Sequence, residues 1–259
     1  MSFIRMIFKT VLIVSISIFF LILLFTLMFL IRPKVLKRKV QVYISRICTW
    51  LGGRIMDYKV SVVGGPLDKS KNYLYVCNHM SYIDIFMLGS ITKACYVTSV
   101  EMRDTPVLGW IVKASGCLFV ERRTRHGLKS EIQEITQALE DGFNVFIFPE
   151  ATSTNGDKVI RFRRPLYAAA VYSGKTIKPL VINYKSIDGV PVTKKNRDSI
   201  CWYGGMALAP HFLNMAKQKN FKAEITILED VVPKPNQEPG ELAELTHKMV
   251  SSHYNQLSE

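Results

Sequence analysis

An imidazole and a carboxylate, two groups able to share a proton, stand five residues apart in the segment Asn78-His79-Met80-Ser81-Tyr82-Ile83-Asp84. On a straight helix that spacing separates them by about 140°, and on a strand it sends them to opposite faces. Contact therefore requires a turn between them, such as a strand end opening into a helix. Ser81 supplies a start signal for that helix, because Ser followed three residues later by a carboxylate is capping-box-like. Two roles for Asp84 follow. It helps cap the helix and no more, or it holds the His79 ring in one tautomer and stabilises the imidazolium.

A second carboxylate, Glu150, lies in Phe148-Pro149-Glu150-Ala151-Thr152-Ser153-Thr154-Asn155-Gly156, where Pro149 stops an apolar strand. Hydroxyls, Thr152 among them, follow at the strand's C-terminal end, where α/β sheets bind ligands. An ordinary polar turn has the same composition. Lys158, Arg161, Arg163 and Arg164 come next. They suit the acidic part of a substrate, lipid headgroups, or surface solubility. Residues 116–123 run a strand out into a charged end, where Arg122 can bind a phosphate in bidentate fashion or pair loosely with Glu121. Residues 177–183 read as a buried strand interrupted by Pro179. His126, His211, His247 and His253 are scattered without ligand spacing, so no metal is predicted.

Short apolar runs alternating with helical stretches position these groups. Strands are predicted at 59–63, 74–77, 95–98, 117–120, 144–148, 178–183 and 222–228, and helices at 83–90, 106–114, 127–141, 166–172, 211–217 and 240–256. The alternation predicts an α/β fold: a central mixed, largely parallel sheet flanked by helices. A transmembrane helix and an amphipathic helix precede it. Residues 10–31 carry no charge, and seventeen of these 22 are Leu, Ile, Val or Phe. As a helix the run spans about 33 Å, enough for a bilayer core of about 30 Å. It ends in Arg32-Pro33-Lys34 without the small-residue site of a cleaved signal peptide. Two basic residues precede it and five follow, which places the body on the cytoplasmic side of an inner membrane, held by a single-pass anchor. In residues 35–57, Val40, Tyr43, Ile44, Ile47, Trp50 and Leu51 share one helical face, to lie on the membrane or to pack on the core, and Gly52-Gly53 is the predicted stop. The expected organisation is an anchor at 1–34, a membrane-proximal helix at 35–57 and an α/β domain at 58–259.

The chain has 259 residues and a net charge of +13, seven of its basic residues and no acid falling in residues 1–40. With 48% hydrophobic residues it is no disordered tail. Five cysteines, an odd number without a CxxC pair, argue against a disulfide framework and a structural zinc site. The basic charge raises the alternative of a membrane-anchored nucleic-acid binder, but no nucleic-acid motif accompanies it. A non-catalytic lipid-binding protein is a third class.

Taken together and in order, the four blocks resemble the glycerolipid acyltransferase family, 1-acyl-sn-glycerol-3-phosphate acyltransferase-like, whose motifs read N-H-x-x-x-x-D, G-x-x-F-x-x-R, F-P-E-G-T-x-S and an apolar strand bearing Pro. The likeness covers residues 72–183, with weaker stretches at 99–109 and 202–206. It implies a membrane-bound enzyme that moves a fatty acyl group from acyl-CoA or acyl-carrier protein, a donor substrate rather than a cofactor, to a lysophospholipid hydroxyl. The acceptor it implies is 1-acyl-sn-glycerol-3-phosphate, giving phosphatidic acid. His79 would be the general base and Asp84 its orienting partner. Asn78, Ser81, Arg122, Glu150, Thr152, Arg161 and Arg163 would stand at the substrate, with a backbone N–H near Ser81 as a candidate oxyanion donor. Cys77, in an apolar strand, is the less favoured alternative as nucleophile. The implied partners are the two substrates and the bilayer, with acyl-carrier protein as one form of donor and no nucleic acid.

Two positions depart from the family pattern: Ala151 replaces the usual Gly, and Ser153 replaces the Arg associated with the acceptor phosphate. Relatives that acylate other lysolipids, lyso-ornithine lipids among them, also lack that Arg. In its absence the acceptor's charge would fall to Arg122 with Arg161 or Arg163.

Overall fold

The computed structural model describes residues 1–121 and 127–259. Its first helix, α1 (Ser2–Leu30), is the one described helix long and apolar enough to cross a membrane, with a mean hydropathy of 3.0 over its best window. Phe19, Ile22, Phe25 and Phe29 face outward, whereas Phe20 and Leu24 are buried. The N-terminal turns also engage the body. The Lys9 ammonium donates to the carbonyls of Met56 (3.4 Å), Gln218 (2.8 Å) and Lys219 (3.2 Å), and Arg5 donates to Lys217 O (2.7 Å).

The second helix, α2 (Lys34–Met56), departs from expectation at its end and resolves the open question of its stripe. It runs through Gly52-Gly53 and stops only at Asp57, which adopts a left-handed conformation (φ 55°). Gly52 serves close packing instead of termination, since a Cβ there would lie 2.8 Å from the Phe86 ring. The buried stripe is also not the apolar one. Gln41, Val42, Thr49, Gly52 and Met56 face the protein, while Tyr43, Ile47 and Trp50 are exposed. A helix that hides small and polar residues and shows aromatic ones is patterned for an apolar exterior.

Among the described residues, eight strands form one mixed sheet: β1 (Tyr58–Val63), β2 (Leu74–Cys77), β3 (Cys95–Ser99), β4 (Leu118–Val120), β5 (Val145–Ile147), β6 (Ile177–Ile187), β7 (Val190–Pro191) and β8 (Phe221–Ile227). Their order is β1-β8-β6-β2-β5-β3-β4, with β7 paired to β6. All neighbours are parallel except β6 with β7 and with β8. The fold class therefore matches the expectation. Strands β2 and β5 are buried at every residue, as parallel strands covered on both faces must be. Strand β8 alternates buried and more exposed residues. Pro179 does not interrupt β6: it pairs with Val76 of β2, and its carbonyl accepts from Leu228 N (3.0 Å).

The flanking helices are α3 (Ile83–Ile91), α4 (Val100–Asp104), α5 (Leu108–Ala114), α6 (Leu128–Glu140), α7 (Ala168–Ser173), α8 (Leu208–Ala216) and α9 (Pro239–His253). Short α4 had no counterpart in the periodicity. It starts at Ser99, whose hydroxyl accepts from Met102 N (3.4 Å). Helix α3, which carries Asp84, is seated on α2 through two glycine contacts: Gly52 under Phe86, and Gly89, where a Cβ would meet Thr49 Oγ1 at 2.4 Å.

Candidate active site

The adjacent parallel strands β2 and β5 pair Leu74 with Val145 and Val76 with Ile147. Continued past both strand ends, this register brings His79 opposite Glu150. The contact is direct, for His79 N donates to Glu150 Oε1 at 2.8 Å. Both segments leave the C-terminal edge of the sheet, so two motifs about seventy residues apart share one opening.

After His79 the chain turns before α3 begins at Ile83, and this turn brings the Asp84 carboxylate back onto the ring. Asp84 Oδ2 lies 2.8 Å from His79 Nδ1. The same oxygen accepts from Met80 N (2.8 Å) and Ser81 N (3.0 Å), and Oδ1 accepts from the Tyr184 hydroxyl. A carboxylate can only accept, so Nδ1 carries the proton and Nε2 presents its lone pair. Nε2 makes no hydrogen bond among the described residues, and 18% of the His79 side chain is exposed whereas Asp84 is fully buried. The ring stacks on Phe148, with centroids 4.0 Å apart and planes 17° apart. The backbone around it is fixed from both sides. Thr154 donates its N–H (2.9 Å) and hydroxyl (3.1 Å) to His79 O, and Trp202 N donates to Met80 O (2.8 Å).

The capping box forms only in part. Ser81 N reaches Asp84, but the Ser81 hydroxyl is buried and has no partner among the described residues, and helix α3 is capped by no side chain. The N–H groups of Met80 and Ser81 are both committed to Asp84, so neither of these two is open to an oxyanion. Asn78 is also turned inward. Its side chain exchanges two hydrogen bonds with the Ile182 backbone (3.0 and 2.8 Å), joining the end of β2 to β6. Buried Asn78 and Ser81 thus support the turn between β2 and α3 rather than line its opening.

Glu150 is 2% exposed, and its second oxygen accepts from Ile160 N (3.1 Å). Burial pushes its carboxyl up to about 8 against the pull of its two backbone donors. A folded-state value above the unfolded one means that this group's stability contribution is complete below about 4.5 and declines as pH rises toward about 8. Glu150→Gln is therefore expected to flatten the fall in melting temperature between pH 5 and 8, measured by thermal denaturation in detergent. Ala151 lies in the left-handed region (φ 58°), which rationalises the glycine usual in the resembling motif and implies strain of about 1 kcal/mol here.

Thr152, Arg161 and Arg163 are exposed. Ile160 N bonds Glu150, and Arg163 N bonds Pro149 O (2.8 Å), so the basic segment is threaded beside the turn after β5. The Arg161 and Arg163 side chains make no ion pair among the described residues. Arg122 lies outside the described residues. Cys77 is fully buried, and burial pushes its thiol well above the ordinary range, which leaves no thiolate to attack. Thr154, from the block after Pro149, and Trp202, from the weaker stretch at 202–206, also hold the turn, although neither was assigned a role; Tyr184 carried no sequence signal.

A mixed α/β sheet thus carries a His–Asp turn beside a buried Glu that follows the neighbouring strand. Residues 59–183 match the family model described as Acyltransferase. Among curated relatives, the lyso-ornithine lipid O-acyltransferase of Rhizobium meliloti (strain 1021) is 28% identical over 191 residues, which cover 71% of this chain and 63% of that protein. The 1-acyl-sn-glycerol-3-phosphate acyltransferase of Neisseria gonorrhoeae is 28% identical over 123 residues, 47% of this chain and 48% of that one. The chain thus matches just under two thirds of the first relative's length and about half of the second's. The crystal structure of the 1-acyl-sn-glycerophosphate acyltransferase PlsC from Thermotoga maritima shares the fold, with a TM-score of 0.66, 22% identity, and coverage of 97% of this chain and 95% of that one.

Proposed function

We propose that this chain is a lysolipid O-acyltransferase in which His79 acts as general base. The observation that carries the reading is the open Nε2 on an imidazole whose other nitrogen is bound by the buried Asp84 carboxylate. Nε2 takes the proton of the lysolipid hydroxyl as its oxygen attacks the thioester carbonyl. The tetrahedral adduct collapses with cleavage of the C–S bond, and the imidazolium returns the proton to the departing thiolate. A thiol with an ordinary pKa of about 8.5 leaves readily, so no further acid is needed. Asp84 stabilises the imidazolium while it exists. The donor is an acyl thioester, acyl-CoA or acyl-carrier protein. The outward apolar faces of α1 and α2 hold the enzyme at the bilayer that contains the acceptor and the acylated lipid.

For the acceptor we favour a lyso-ornithine lipid over the 1-acyl-sn-glycerol-3-phosphate expected from the motifs. Two observations support the change: the longer alignment with the Rhizobium enzyme, and Ser153 in place of the arginine associated with the phosphate. The exposed Arg161 and Arg163 beside Glu150 favour the phosphate acceptor as a second reading. Purified enzyme given radiolabelled acyl thioester and each acceptor in mixed micelles is expected to acylate lyso-ornithine lipid at least tenfold faster. Equal or faster acylation of 1-acyl-sn-glycerol-3-phosphate overturns the choice of acceptor, and no transfer to either overturns the enzyme reading.

A further inference from the structure

We infer that Tyr184 is a positioning residue for this reaction: its hydroxyl fixes the Asp84 carboxylate so that Oδ2 faces the His79 ring and its charge is shared. The inference rests on His79 as the base. Asp84 has two oxygens with unequal company. Oδ2 receives His79 Nδ1, Met80 N and Ser81 N, and Oδ1 receives only the Tyr184 hydroxyl. A terminal carboxylate torsion is broad and roughly two-fold, so rotation is held only by what each oxygen bonds. Removing the phenol would leave a buried anionic oxygen without a donor, a condition proteins avoid.

Tyr184 is well suited to the task. It stands near the middle of β6, is 5% exposed, and sits where the register with β8 shifts between Tyr184 and Ser186. The shift lies one hundred residues from Asp84, yet on the strand paired with β2, which leads into the catalytic turn. Burial, and then the Asp84 charge, push the phenol well above its ordinary value, so it stays a donor. Other titratable groups also face the pair. Glu150 approaches from after β5, Cys77 from β2, Cys201 from before α8, Tyr254 from after α9, and Tyr58 of β1 lies near Tyr184. The thiols and phenols are all pushed upward by burial and remain neutral, which leaves Glu150 as the other group to titrate near neutrality. It is present in the native protein and in every variant below, so differences between their profiles report the phenol.

A hydrogen bond that draws charge from Asp84 weakens its hold on the imidazolium. Tyr184→Phe is therefore expected to move the acid limb of the kcat/KM profile to higher pH by about half a unit to one unit, and to lower kcat about tenfold with KM values unchanged. Site-specific 3-fluorotyrosine at position 184 keeps the hydroxyl and makes it a stronger donor, so it is expected to move the limb the other way. A purely structural phenol would lower the melting temperature and the folded fraction but leave the limb in place. If Tyr184→Phe does not fold, the fluorotyrosine protein decides. An unmoved limb in the folded variants overturns the inference while His79→Ala remains inactive. An active His79→Ala instead overturns the base on which it rests.

Discussion

His79→Ala is expected to lower kcat about 10²–10⁴-fold in protein that still folds, the range a positioned general base supplies. Folding should survive because the ring is partly exposed and its backbone anchors stay. Glu150 and Thr154 bind the main chain of residue 79, not the imidazole. The KM for the acceptor should change little, since the proton is taken only as the reaction proceeds. The measurement is steady-state acyl transfer in mixed micelles, with circular dichroism as the check on folding. A folded His79→Ala enzyme with near-native turnover would remove His79 from the chemistry.

Asp84 divides its effects between rate and stability, and two substitutions separate them. In Asp84→Asn the amide oxygen can take the place of Oδ2, which accepts three N–H groups, while the amide NH2 faces the Tyr184 hydroxyl, which can turn to accept. The turn and the tautomer are then kept and the charge is lost. A charge-assisted hydrogen bond contributes about 1.5–3 kcal/mol, so kcat should fall roughly tenfold to a hundredfold in a protein of near-native stability. Asp84→Ala strands Met80 N, Ser81 N and the Tyr184 hydroxyl in a fully buried site. Each unsatisfied group costs about 1–3 kcal/mol, so this variant should melt far below the native protein. Thermal denaturation and activity measured on both variants test the division. Equal stability of the alanine and asparagine forms would contradict it.

The contrast between Asp84 and Tyr184 shows what could be read from the chain alone. The seven main strands were legible because short β-branched and aromatic runs with turn residues between them announce themselves locally. The spacing of His79 and Asp84 required a bend, and a bend is what separates β2 from α3. Features that depend on pairing were illegible. No local pattern tells that β2 lies between β5 and β6: the resemblance set His79 and Glu150 at one site, but neither the backbone contact that joins them nor the reach of Tyr184 to Asp84 could be foreseen. Gly52-Gly53 misled for the same reason. Glycine before a polar residue commonly ends a helix, and only the presence of Phe86 across the interface shows that here it makes room. The apolar stripe of α2 was found correctly as a stripe but assigned no side, because periodicity does not say which face meets protein.

The grip of Lys9 bears on how this enzyme can be handled. Its ammonium closes three carbonyls that belong to the ends of α2 and of the turn after α8, and Met6 and Ile13 pack against the main core from the same helix. Trimming the first thirty residues to obtain a detergent-free preparation would uncap those carbonyls and bare a strip of the interior. The greasy segment is a wall of the house and not a mooring line, so cutting it away would breach the architecture itself.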